Sequence, residues 1–231
     1  MHARGVRDQA HIRKSEYLRR DSCHVNMTFT TESLTVDEQT RRRLFTDARS
    51  PLAFADEPVS PAVIEAAYDL IKWGPTSNNS MPLRLAIADS DWARTVVVDA
   101  ATAGNRPKVA SAPTVLVVAA DADYHEFSHV TAPGVAGLRE RLAGMPEQRL
   151  TTARENTWVQ LGYLVVGLRA MGLAVRPMTG FDMTAISDAL FGDNAWNAQA
   201  VLTVGYPAAN GEDGTAPRAG RPAWDDAARV L

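Results

Sequence analysis

Trp73-Gly74-Pro75-Thr76-Ser77-Asn78-Asn79-Ser80-Met81-Pro82 sets a proline and a run of small polar residues directly behind an amphipathic helical pattern. Proline cannot continue a helical hydrogen-bond ladder, so Pro75 fixes where the preceding helix stops and how the loop begins. Thr76, Ser77 and Asn79 then offer hydroxyl and amide groups beside the loop's own N–H groups, an array suited to a flat, heteroatom-rich molecule or a phosphate. A surface turn has the same composition. A second signal is needed to choose a ligand loop over it.

Working outward, Ser60 suits an N-cap and Pro61 the first helical position. Val63, Ile64, Ala67, Leu70 and Ile71 form the apolar stripe of the helix that leads to Trp73. Upstream, Thr35-Val36-Asp37-Glu38 has capping-box spacing and predicts a helix to about Asp47. Downstream, residues 85–88 read as a short strand, Ser90 caps a helix toward Gly104, and residues 113–120 read as the central strand. Both strands are apolar on both faces, so helices should cover each side of the sheet. Residues 152–171 read as the longest helix, a core or dimer element. It carries Trp158, Leu161, Leu164, Val165, Leu168 and Met171 at three- and four-residue steps, with Gly172 as its left-handed stop. A strand at 173–176, a helix at 184–191 and a strand at 199–206 complete an α+β layer fold, followed by a Gly- and Pro-rich loop at 207–222 and a short terminal helix.

The chain of 231 residues is 45% hydrophobic, enough to bury a sizeable core as one domain or as a compact dimer subunit. Its longest apolar stretch, residues 112–120, is far below the roughly 20 residues of a membrane-spanning helix. Cys23 is the lone cysteine, which suits a reducing cytoplasm. A net charge of −3 gives no electrostatic reason to expect nucleic acid, and small molecules are the expected partners. Residues 1–33 read as a basic extension, disordered by expectation, ahead of one domain at 34–231; within it, Met27 is a candidate true start.

His125-Glu126-Phe127-Ser128-His129 satisfies H-E-x-x-H, which on a helix would set two imidazoles and a carboxylate for a zinc hydrolase. Thr131, Pro133 and Gly134 follow almost at once and no third ligand is marked, so a polar loop with Asp123 and Glu126 as an N-cap pair is preferred. No metal site is assigned. There is no G-x-G-x-x-G, P-loop or G-x-S-x-G elbow, which leaves a dinucleotide fold of the usual type and a serine hydrolase unsupported.

The loop, read with the segments Asn105-Arg106-Pro107-Lys108 and Pro177-Met178-Thr179-Gly180-Phe181, resembles the FMN-dependent nitroreductase family. With Asp182 and the opening Leu44-Phe45-Thr46-Asp47-Ala48-Arg49, it is most similar to that family's malonic semialdehyde reductase subgroup. The chain has Met81-Pro82-Leu83 and Thr179 where most nitroreductases have Gln-Pro-Trp and Glu, which points to the same subgroup.

The resemblance implies a nitroreductase-like mixed central sheet flanked by helices, in a homodimer with flavin at the interface. It implies FMN as cofactor, NADH or NADPH as electron donor, and reduction of malonic semialdehyde to 3-hydroxypropionate. A general nitro or quinone reductase is the alternative, and a flavin-binding protein without turnover a more distant one. Arg49 and Ser50, with Arg218 or Arg221, would hold the FMN phosphate. Pro75, Thr76, Ser77 and Asn79 would wrap the flavin, and Asn105 and Lys108 would stand at its pyrimidine edge. Pro177, Met178, Thr179, Gly180 and Phe181 would run along the ring, with Gly180 allowing close backbone approach. Flavin carries the chemistry, so no catalytic side chain is assigned. Arg84 is the candidate for a substrate carboxylate.

Overall fold

The structure, a computed structural model, describes residues 36–192, 194–209, 214–215 and 217–231. The basic extension at 1–33, Cys23 and the Thr35 cap lie outside the described residues. Helix α1 (Glu38–Arg41) passes into a π-helical turn, Arg42–Thr46, closed where Arg42 Nε donates to Asp47 Oδ2 at 2.6 Å. Helix α2 (Pro61–Ile71) starts where its sequence requires. Ser60 Oγ accepts from Ala62 N, and Pro61 occupies a position whose N–H would have no helical partner. Ile64, Ala67 and Ile71 are buried, but Leu70 is 55% exposed, so the stripe is narrower than its apolar residues suggested.

Strand β1 (Leu83–Ile87) follows the polar loop. Helix α3 (Asp91–Asp99) is capped by Ser90, whose Oγ accepts from Ala93 N, and α4 (Arg106–Ala110) precedes β2 (Thr114–Asp121). An excursion holding α5 (Ser128–Thr131) and α6 (Leu138–Ala143) then leads to α7 (Pro146–Ala170). This long helix begins six residues before the apolar periodicity does, because Pro146 supplies a first-turn start to residues that carry no stripe. It stops at Gly172, with φ +84°. Strand β3 (Ala174–Met178), α8 (Met183–Phe191), β4 (Trp196–Gly205) and α9 (Trp224–Ala227) complete the order.

The four strands form one sheet in the order β1-β2-β4-β3, antiparallel at every pairing, with a bulge between Val118 and Ala119. The sheet expected to be mixed therefore shows antiparallel pairs alone among the described residues. Every residue of β2 is buried, and helices cover both faces as the two-sided apolar pattern required. One core joins Leu116, Val118 and Leu202 to α2 and α7; the other joins Val115, Val117 and Val201 to α3 and α8. Two consequences position the functional residues. The loop at 73–82 feeds β1 at one edge of the sheet, and residues 179–181 leave β3 at the other.

Candidate functional site

At the β3 edge, Arg49, Ser50, Arg169, Arg176, Arg218 and Arg221 line an open cleft of about 420 Å³. Arg176 Nε and Nη2 donate to Pro51 O at 2.6 Å and Ser50 O at 2.8 Å, which fixes the 49–51 segment against β3. Arg218 Nη2 donates to Ala48 O at 3.0 Å, and Arg169 Nη1 to Leu44 O at 3.0 Å. Burial holds the Arg169 guanidinium below its ordinary pKa, and the Arg218 charge pushes the same way; burial does likewise at Arg176. Among the described residues no carboxylate lines this cleft. A phosphate dianion is the ligand such forked donors suit.

Gly180 lies four residues beyond Arg176, at most about 14 Å of chain. Its carbonyl accepts from Thr102 N at 3.0 Å and Asn105 Nδ2 at 3.3 Å, and Asp182 N donates to Ala100 O at 2.8 Å, so the turn is zipped onto the residues before α4. A Cβ at Gly180 would sit 2.7 Å from Asn105 Nδ2 and 3.0 Å from Thr102 Oγ1. Close approach is therefore the reason for glycine here. Lys108 Nζ donates to the neutral Asn105 Oδ1 at 3.2 Å, with no ion pair among the described residues. Pro177 and Thr179 are exposed beside this group, whereas Met178 turns into the core.

At the β1 edge, the loop turns through three non-glycine residues with positive φ: Asn78, Asn79 and Met81. Such positions are uncommon and persist where surroundings over-determine them. Helix α7 does this. Asn156 Oδ1, on a residue 6% exposed, accepts from Ser77 N at 2.7 Å; Gln160 Oε1, on a residue 1% exposed, accepts from Leu83 N at 3.0 Å. Tyr163 Oη donates to Pro75 O at 3.2 Å. Part of the expected donor array is turned inward. Thr76 Oγ1 accepts from Met81 N at 3.3 Å, and Asn79 Nδ2 donates to Thr131 O at 2.8 Å, which leaves the exposed Ser77 side chain and the Asn79 carbonyl facing out.

The chain thus brings Arg49, Ser50, Arg218 and Arg221 together, carries residues 177–181 on to Asn105 and Lys108, and leaves Pro75, Thr76, Ser77 and Asn79 across the sheet. Three inter-strand spacings, roughly 14 Å, separate the two edges. Arg84 is not available for a substrate carboxylate. Its Nη2 pairs with the buried Asp121 at 2.6 Å, its Nη1 donates to Met81 O and Leu83 O, and its guanidinium covers the Phe127 ring. Asp123 and Glu126 are not side-chain caps: Asp123 takes Arg149 and Glu126 takes Arg139 at 2.6 Å. The H-E-x-x-H segment is a 3₁₀ turn followed by one α-turn. Among the described residues no three metal-binding side chains converge.

Sequence reasoning missed Arg169, Arg176, Asn156, Gln160 and Thr102. Arg169 and Arg176 carried the signal of a cation inside an apolar helix end and an edge strand. Asn156 and Gln160, four apart on the inner face of an apolar helix, carried the signal of buried amides that need partners.

The nitroreductase family model matches residues 46–206. A relative from Leptothrix cholodnii named "Putative NADH dehydrogenase/NAD(P)H nitroreductase" is 36% identical over 198 residues, covering 85% of this chain and 98% of that protein. One of the same name from Streptomyces griseus is 36% identical over 194 residues, covering 84% and 97%. Among solved structures, a nitroreductase family protein from Streptococcus pneumoniae superposes with TM-score 0.67 at 19% identity, covering 84% of this chain and 98% of that one. A "putative nitroreductase in complex with FMN" from Exiguobacterium sibiricum superposes with TM-score 0.66 at 18% identity, covering 87% and 100%. These structures share the fold; the family model and the relatives carry the assignment. The chain belongs to the nitroreductase family.

Proposed function

We propose that this chain, by family an NAD(P)H-dependent oxidoreductase with FMN as cofactor, works as a homodimer and reduces malonic semialdehyde to 3-hydroxypropionate. The carrying observation is the arginine cleft, open to a phosphate and continued within one flavin length by the Gly180 turn, Asn105 and Lys108. The donor set fits FMN. Arg49, Ser50, Arg218 and Arg221, joined by Arg169 and Arg176, would hold the phosphate; residues 177–181 would lie along the ring.

Bound FMN supplies hydride transfer from NADH or NADPH to the acceptor. The protein's part is to orient, to exclude water and to place charge. Lys108, countered by an amide oxygen and by no carboxylate among the described residues, would stabilise negative charge on the reduced flavin. No side chain is assigned as a catalytic acid.

The separation of the cleft from the loop supports a homodimer. Pro75, Thr76, Ser77 and Asn79 can face a flavin held at the β3 edge when they come from a second copy. The exposed apolar surface beside the loop, with Trp73 at 82% and Trp158 and Val159 on α7, is the kind such an interface covers. Malonic semialdehyde is supported by the likeness of the loop, of residues 178–182 and of the 44–49 opening to that subgroup. No helix among the described residues is long and apolar enough to cross a membrane, and a cytoplasmic site of action suits the lone cysteine.

The purified protein should be yellow or bind added FMN, and NAD(P)H should bleach the oxidised band until an acceptor restores it. Lys108→Ala should slow bleaching more than it weakens FMN binding, whereas Ser77→Ala should chiefly weaken binding. A protein that takes up no FMN would end this reading. A higher kcat/KM for nitroaromatics or quinones than for malonic semialdehyde would shift it to the general reductase.

A further inference from the structure

A second cavity, about 210 Å³, lies between the Ser77–Ser80 side of the loop and the excursion that carries α5 and α6. Ser77, Ser80, Tyr124, His125 and Ser128 line one part of it with Arg141 of α6, and Leu138, Leu142 and Met145 supply an apolar part. Ser80 is 4% exposed, and its Oγ has no hydrogen-bond partner among the described residues. A buried hydroxyl without a partner carries a desolvation cost that a ligand oxygen would remove. Arg141 is exposed, and its guanidinium makes no hydrogen bond or ion pair among the described residues. It therefore differs from Arg84, Arg139 and Arg149, the neighbouring arginines, each engaged by a carboxylate.

We infer that this cavity is the acceptor subsite and that Arg141 holds the carboxylate of a small oxo acid in it. A cavity of about 210 Å³ has room for a three-carbon oxo acid. Charge narrows the choice of occupant. The guanidinium provides forked donors for a carboxylate, and the Ser80 and Ser128 hydroxyls remain for a carbonyl oxygen. Because Ser77 forms part of the wall, a bound oxo acid would lie against the loop assigned to the flavin. The inference rests on the proposed flavin reading for that placement alone; the cavity and Arg141 belong to one chain.

Titration calorimetry of the FMN-loaded protein with propanoate and its neutral isostere propanamide tests the assignment. Propanoate should bind at least about tenfold more tightly than propanamide, and Arg141→Gln should remove the difference. Arg141→Lys should recover part of it. In turnover, Arg141→Gln should raise KM for malonic semialdehyde about tenfold or more and change kcat much less. Equal binding of the two probes to the native protein, or a propanoate Kd within about twofold of native in Arg141→Gln, would overturn the inference. Should the protein bind no FMN, the flavin reading fails, while the same titration of the purified chain still decides Arg141.

Discussion

Asn156 shows how much of the polar loop at 73–82 is governed by one buried amide. Its Oδ1 takes the Ser77 N–H and its Nδ2 adds a second bond to the helical carbonyl Thr152 O at 2.9 Å, so truncation leaves the Ser77 N–H unpaired in a loop that already holds three positive-φ residues. Asn156→Ala should cost about 1–3 kcal/mol of stability by thermal denaturation, and FMN affinity should fall with it. Asn156→Asp, which keeps the acceptor, should recover much of the flavin binding. Unchanged affinity in the alanine variant would separate the loop from the site. At this scale the sequence was legible where chemistry is local: Ser60, Ser90 and Gly172 act as their neighbours dictate. The bond from Met81 N to Thr76 Oγ1 and the pairing of Arg84 with Asp121 were not legible, because they depend on how the loop folds back and on strand pairing.

Helices α2 and α7 pack closely because Gly167 presents no side chain to Ile71. A Cβ there would overlap Ile71 Cγ2, a branched group inside the core. Gly167→Ala should lower stability by up to about 2 kcal/mol, since an overpacking cost of about 1–3 kcal/mol outweighs a helix-propensity gain of about 1 kcal/mol. A raised melting temperature would show that the interface yields more easily than its geometry implies. Element type was legible wherever period and punctuation agreed, as in α2, β2 and the end of α7. The start of α7 and the narrow stripe of α2 were not, because helix starts without a stripe and the side facing a neighbour are set by packing.

The whole molecule sets the arginine cleft and the polar loop on opposite edges of one sheet, a layout no reading of neighbouring residues contains, since it depends on the strand order β1-β2-β4-β3. The motifs were visible in sequence; their separation was not. If cleft and loop complete one flavin site across a homodimer, as proposed, that separation makes the site genetically divisible. A chain with Arg218→Ala and Arg221→Ala damages only its own phosphate cleft, and a chain with Ser77→Ala and Asn79→Ala damages only the loop it lends. Each variant alone has every site broken. Mixed at equal amounts and allowed to exchange subunits, half of the dimers combine the two lesions on the same flavin and leave the other flavin with native surroundings. About a quarter of all sites, and of the native activity, should reappear from two inactive preparations. No recovery after verified exchange would mean that each chain completes its site alone.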